Sequence, residues 1–138
     1  MSKKIHVLIF DSKREKILTF NRGLPHLETT EEDTFSVANR CIEDYVNASC
    51  CMMTRLFNTD AFEIWQTLEV FLPEDAWWET HRVAFAWVTI EGLDWAQPEL
   101  EVSKWKEFIY KRNLALQVAE KIEKEHWKEL DQQLSERA

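Results

Sequence analysis

Residues 24–47, LPHLETTEEDTFSVANRCIEDYVN, decide how this chain is read, because the hydrophobic period changes inside them. Up to Glu28 no helical spacing is present. From Thr30 onward Phe35, Ala38, Ile42 and Tyr45 recur every three or four residues, with Val37, Cys41 and Val46 beside them, while Asn39, Arg40, Glu43, Asp44 and Asn47 share the other face. That pattern predicts an amphipathic helix. Glu31, Glu32 and Asp33 are expected in its first turn, where the helix dipole favours carboxylates, with Thr29 or Thr30 as the N-cap.

Outward from this helix the order of elements follows. On its N-terminal side Ile5–Phe10 and Ile17–Phe20 are short β-rich runs around a polar stretch, which predicts a hairpin with a longer loop. On its C-terminal side Cys50–Phe57 and Phe62–Leu72 read as strands joined by a turn at Asn58-Thr59-Asp60. Residues 73–80 read as a loop, and Arg82–Ile90, almost wholly apolar, reads as a central strand covered on both faces. After Pro98 no helix breaker remains, so residues 98–138 are expected to form one long helix or two end to end. Strand, strand, helix, three strands and helix make an α+β arrangement, expected as a single domain over residues 1–138.

Composition removes several functions. The 138 residues hold only two glycines, Gly23 and Gly92, so neither a dinucleotide-binding GxGxxG turn nor a phosphate-binding P-loop can be built. Seventeen Lys and Arg against 25 Asp and Glu give a formal charge of −8, the wrong sign for neutralising nucleic-acid or lipid phosphates. Direct nucleic-acid or membrane binding is therefore not expected. The N-terminal apolar run is too short for a signal segment, and no stretch approaches a membrane span, which points to the cytoplasm. Three cysteines, with Cys50 and Cys51 adjacent, make no disulfide framework and are expected to be reduced. His6, His26, His81 and His126 lack zinc spacing, and no cysteine has the surroundings of a nucleophile.

The stretch Leu24-Pro25-His26-Leu27-Glu28, then Glu31, then Asn39-Arg40-Cys41-Ile42-Glu43-Asp44, resembles the box of the Nudix hydrolases, GX5EX7REUXEEXGU with U aliphatic. With Pro25 in place of the first glycine, Glu31, Glu43 and Asp44 fall on box carboxylates. Asn39 stands for the arginine, Arg40 for a metal-binding glutamate and Val46 for the second glycine, so the box is degraded. A second register puts Glu32 and Arg40 on the box glutamate and arginine, but Cys41 and Tyr45 then replace metal-binding glutamates. The resemblance implies a Nudix-like mixed sheet with the box helix after the first hairpin. It also implies hydrolysis of nucleoside diphosphates linked to another moiety, with Mg2+ or Mn2+ held by Glu31, Glu43 and Asp44 and with Glu28 assisting. In such a pocket Arg22 and His26 would meet phosphate or ribose. Arg40, three and four residues before Glu43 and Asp44, is expected to pair with both and to compete with a metal.

From Leu56 to His81 no Lys or Arg interrupts six acids mixed with aromatic residues. Trp77 and Trp78, beside Glu74 and Asp75, are expected either to stack on a nucleobase or to dock a basic partner protein. The apolar row ending in Trp127, Leu130 and Leu134 outruns what a small sheet can cover, so the far end of the last helix is a candidate for a homodimer contact. Two functions compete on this reading. One is a noncatalytic pseudoenzyme that binds a partner protein or nucleotide as a regulator or inhibitor; the other is a metal-dependent hydrolase.

Overall fold

A computed structural model of the chain describes residues 2–11, 13–21, 23–48, 50–70 and 84–136. It falls into two compact units, Met1–Trp105 and Lys106–Ala138. In the first unit strands β1 (Lys3–Leu8), β3 (His26–Thr29), β4 (Cys50–Asn58) and β5 (Phe62–Val70) form a mixed sheet in the order β3-β1-β5-β4. Strands β2 (Ile17–Phe20) and β6 (Phe85–Val88) form a separate antiparallel pair. Helix α1 (Thr34–Val46) leads from β3 to β4, and the short helix α2 (Ile90–Ala96) is followed by two 3-10 turns, Pro98–Leu100 and Val102–Lys104. This is the α+β architecture with a mixed sheet that the sequence predicts.

Period 2 along β1 sorts its side chains between two layers. Ile5, Val7 and Ile9 join Val37, Ala38, Cys41, Ile42 and Val46 of α1 in one core cluster. On the opposite face Leu8 is buried, as are Ile64, Leu93, Leu100, Val102 and Trp105, all outside the α1 cluster. The inner strands are β1 and β5; β5 is hydrogen-bonded to β1 in parallel and to β4 in antiparallel, and its residues Glu63 to Thr67 are buried without a break.

Several elements differ from the reading of the sequence. The predicted hairpin is kept only at its turn: β1 and β2 enter different sheets, and among the described residues they are joined by a bridge from Phe10 to Ile17, by the Leu18 N–H to the Ile9 carbonyl, 2.9 Å, and by the Asp11 N–H to the Lys16 carbonyl, 3.0 Å. Of the predicted central strand at 82–90 the described part, from residue 84, holds a four-residue pairing with β2, half-buried at Phe85, Trp87 and Val88, and it ends there because Thr89 caps a helix that starts at Ile90. The Thr89 hydroxyl accepts the Gly92 N–H at 3.0 Å. Helix α1 starts four residues later than expected. Asp33 is its N-cap, accepting the Ser36 N–H at 3.2 Å, so Glu31 and Glu32 lie before the helix rather than in its first turn. Phe35 is 44% exposed rather than part of the core, and Thr34 is buried instead. The predicted loop at 73–80 lies outside the described residues.

One backbone position has a single solution. Gly23 has φ +94° and exchanges backbone hydrogen bonds with Phe20, and a methyl group there would run into the Gln97 side chain, which accepts the Leu24 N–H at 3.0 Å. Gly23→Ala is expected to lower stability by about 1–2 kcal/mol, from the left-handed backbone strain alone. A urea midpoint unchanged by this substitution would contradict that conformation.

The second unit consists of helix α3 (Lys106–Glu136). At 31 residues and 1.5 Å per residue it is roughly 46 Å long. Among the described residues no helix is long and apolar enough to cross a membrane.

Candidate functional site

The box segment becomes strand β3, a short acidic connection and α1. Strand β3 pairs with β1 in a register that sets His6 against His26 and Lys4 against Glu28. The sequence reading missed this strand. His26 to Thr29 alternates, but Pro25 and the neighbouring polar residues disguise four residues of pairing as a loop.

Each box residue can then be placed. Glu28 is exposed on β3, and its carboxylate accepts the Ser2 hydroxyl at 2.6 Å. His26 is half-buried, with Nδ1 2.9 Å from the Leu24 carbonyl and its own carbonyl accepting the Tyr45 hydroxyl at 3.3 Å. Glu31 sits in the connection, where the Thr29 hydroxyl accepts its N–H at 2.9 Å. Its carboxylate pairs with the Arg40 guanidinium at 3.0 Å, both side chains about half exposed. Glu43 and Asp44 are exposed on α1.

The guanidinium of Arg40 therefore reaches back past the N-terminus of α1 rather than forward along the helix. This corrects the expected pairing with Glu43 and Asp44. Glu31 stands outside the first turn, close enough for Arg40 to bridge the connection to the helix, a contact that helical spacing cannot reveal. Among the described residues neither Glu43 nor Asp44 is ion-paired.

The remaining box positions carry no ligand chemistry. Cys41 is fully buried, and burial, aided by the Asp44 charge, pushes its thiol up to about 12, so it stays protonated and inert. Tyr45 is half-buried, its ring 5.3 Å from that of Phe20. Asp33 is held below the usual carboxylate range by the Ser36 hydroxyl and backbone N–H, as its capping role requires. Among the described residues no group of three or more His, Cys, Asp or Glu side chains converges as a metal site would need. Among the described residues the donors do not gather into a set that fits the Mg2+ or Mn2+ that the box resemblance implies. Arg22, Glu74, Asp75, Trp77 and Trp78 lie outside the described residues.

A feature that the sequence reading missed lies beside the connection. A cavity of about 560 Å³ is lined by Lys3, Thr29–Glu32, Thr34, Arg55, Asp60 and Glu63. At its floor Glu63 is only 2% exposed, yet ionised: its carboxylate accepts the Trp65 indole N–H at 3.0 Å and the Lys3 ammonium at 3.2 Å, with Arg55 at 3.7 Å. Burial alone would raise its pKa, but bonds from Thr34, Lys3 and Trp65 and the Lys3 charge outweigh it, leaving the carboxyl below its usual range. Lys3 also donates to Asn58 at 2.7 Å. The only signal in the sequence was a carboxylate alternating in phase with Trp65 and Thr67 on an otherwise inward face; its cations come from β1 and β4 through sheet pairing. At the rim, Glu32 and Asp60 are exposed and, among the described residues, not ion-paired.

No family model matches the chain, and no curated protein does. Among solved structures it is similar to one from a study of MutT, a Nudix hydrolase, from the fish pathogen Aliivibrio salmonicida and from Vibrio cholerae. The similarity has a TM-score of 0.54 at 17% identity and covers 80% of this chain and 98% of that one. The chain has a Nudix-like fold.

Proposed function

We propose that this protein uses a Nudix-like fold for binding rather than hydrolysis, engaging a basic partner protein as a regulator or inhibitor. The observation that carries this reading is the state of the box. In one register Arg40 occupies a metal-binding position and draws Glu31 into an ion pair; in the other, buried Cys41 and Tyr45 occupy two. Each register thus lacks at least one of the metal-binding carboxylates of the box. A different chemistry is offered by the formal charge of −8 and by exposed acids at Glu32 and Asp60 on an open cavity, and the sequence adds the acidic aromatic stretch holding Glu74, Asp75, Trp77 and Trp78. Carboxylates on an open pocket and on an acidic, aromatic-rich stretch of sequence complement Lys- or Arg-rich surfaces and speed their encounter.

The test is titration calorimetry with a Lys/Arg-rich peptide at two salt concentrations. Binding is expected to weaken with salt and to fall roughly tenfold or more, about 1.4 kcal/mol, in Trp77→Ala, Trp78→Ala or the Glu32→Lys/Asp60→Lys double variant. Affinity indifferent to salt and to all these changes would overturn the reading.

A second reading has one observation in its favour: with Arg40 turned to Glu31, Glu43 and Asp44 are exposed and, among the described residues, not ion-paired. It is decided by a panel of nucleoside triphosphates, dinucleoside polyphosphates, ADP-ribose and nucleotide sugars with Mg2+ or Mn2+, using Glu43→Gln as the blank. We expect equal, background turnover from both proteins. Turnover lost in Glu43→Gln would make this a hydrolase.

A further inference from the structure

The register of β1 and β3 makes a contact that spacing along the chain hides: His6 and His26 stand directly opposite each other on the sheet. The Val7 N–H donates to the Pro25 carbonyl, one step along the same register, at 3.0 Å. His6 and His26 are therefore a non-hydrogen-bonded pair, the kind whose side chains approach most closely. Their ring centres are 5.2 Å apart and their planes are tilted by 42°, so the rings do not stack.

Both rings have nitrogen chemistry that the sheet does not use. The His26 Nδ1 lies 2.9 Å from the Leu24 carbonyl, and because a carbonyl only accepts, Nδ1 carries the hydrogen. In the neutral ring Nε2 then holds a lone pair. A metal-bound imidazole is oriented in this way, with its other N–H held by a backbone carbonyl or carboxylate. His6 is 5% exposed, and its Nδ1 has no hydrogen-bond partner among the described residues. A buried polar atom left unpaired costs stability, which a ligand restores. Burial, then the charges of His26 and Lys4, lower the pKa of His6 to about 4, so at neutral pH its ring is uncharged, the form that binds metals. Metal–nitrogen bonds of about 2.0–2.1 Å put an ion roughly 3.2 Å from each ring centre, and a tetrahedral angle then separates two centres by about 5.2 Å. The pair has that spacing. Lys4, the cation beside His6, is in register with the carboxylate of Glu28, which opposes its charge.

We infer that His6 and His26 chelate a borderline divalent cation such as Zn2+, through Nε2 of His26 and a ring nitrogen of His6. Imidazole suits Zn2+ and Ni2+, whereas Mg2+ prefers oxygen ligands. No third His, Cys, Asp or Glu joins the pair among the described residues, so water fills the remaining positions and the site is weaker than a full cage. It uses none of Glu31, Glu43 and Asp44, and it is independent of what the Nudix-like unit binds. The test is titration calorimetry of the full chain at pH 7 with Zn2+, Ni2+ and Mg2+, with the histidine ring protons followed by NMR. One Zn2+ or Ni2+ per chain is expected with a Kd of about 1–100 µM, and no response to Mg2+. The ring signals of His6 and His26, assigned from the variants that lack them, should move on adding Zn2+. His6→Leu and His26→Ala should each weaken binding roughly tenfold or more, whereas His81→Ala/His126→Ala should leave it unchanged. His26 is only half-buried, so His26→Ala reads the site even if the change inside the sheet at His6 disturbs folding. No binding up to about 1 mM would overturn the inference. So would binding indifferent to His6→Leu and His26→Ala, as when the cysteines or the other histidines hold the ion, or binding lost in only one of two folded variants, since a chelate needs both rings.

Discussion

Trp105→Ala is expected to lose about 3–5 kcal/mol of stability, the range for removing a large buried ring and leaving its cavity. Trp105 is completely buried, and its indole N–H donates to the Leu100 carbonyl at 2.8 Å. It thereby ties the end of the second 3-10 turn to the first, where Leu100 and Val102 are buried as well. Truncation removes the ring and orphans a buried carbonyl at once. Trp105→Phe keeps most of the volume and should cost about 1–3 kcal/mol, the price of the missing donor. Trp95, 88% exposed, provides the control: Trp95→Ala should stay within about 0.5 kcal/mol of wild type. Urea unfolding of the four proteins gives the comparison, and a Trp105→Ala midpoint close to that of Trp95→Ala would contradict this account of the core.

Trp105 also marks where local periodicity misleads. In the sequence it belongs to the row Val102, Trp105, Ile109 that leads into the last helix, but the helix begins only at Lys106, and Val102 and Trp105 are held by 3-10 turns. What was legible came from elements whose own pattern suffices. Helix α1 announces itself by its apolar face, β4 and β5 by runs of strand-forming residues around Thr59, and α3 by a long stretch without Gly or Pro. The α+β class follows from their order.

What was not legible depends on residues far apart in the chain. The parallel pairing of β1 with β5 joins segments almost sixty residues apart, so nothing near Ile5 indicates that its neighbour is Glu63. The same pairing makes β5 an inner strand of the four-stranded sheet, although the 82–90 run is the more apolar of the two. Within the box the carboxylates were legible as residue types, but their partners were not. That Arg40 turns to Glu31 depends on α1 starting at Thr34 rather than Thr30, which Asp33 decides by capping. A shift of four residues in the start of one helix thus moves a cation from the expected metal ligands to a carboxylate ahead of the helix. The acidity of the chain becomes informative only when divided, into an ionised carboxylate held at a cavity floor and free ones around its rim.

Acid should unfold the Nudix-like unit in a window set by His6. The ring is buried in β1, level with His26 on one side and Ile64 on the other, 5.2 Å from the His26 ring and edge-on to Phe62. Its Nδ1 has no hydrogen-bond partner among the described residues. Burial, then the charges of His26 and Lys4, lower its pKa from 6.5 to about 4. Above pH 6.5 the ring is neutral in both folded and unfolded chains, and the full stability is present. Between 6.5 and about 4 the unfolded chain takes up a proton that the folded one refuses, so stability falls with pH; below about 4 both forms are protonated and the loss is complete. At 1.36 kcal/mol per pH unit the loss approaches about 3 kcal/mol. Glu63 acts in the next window down: its lowered carboxyl contributes stability above the ordinary glutamate range and loses it as pH drops through the folded value. His6→Leu should keep the sheet and flatten the upper window while leaving the lower one. Urea midpoints at pH 7, 5.5 and 4.5 follow the His6 window, and further midpoints below the ordinary glutamate range follow Glu63. Parallel curves for wild type and His6→Leu would show that His6 is accessible to protons in the folded protein, and would place the acid-sensitive step elsewhere.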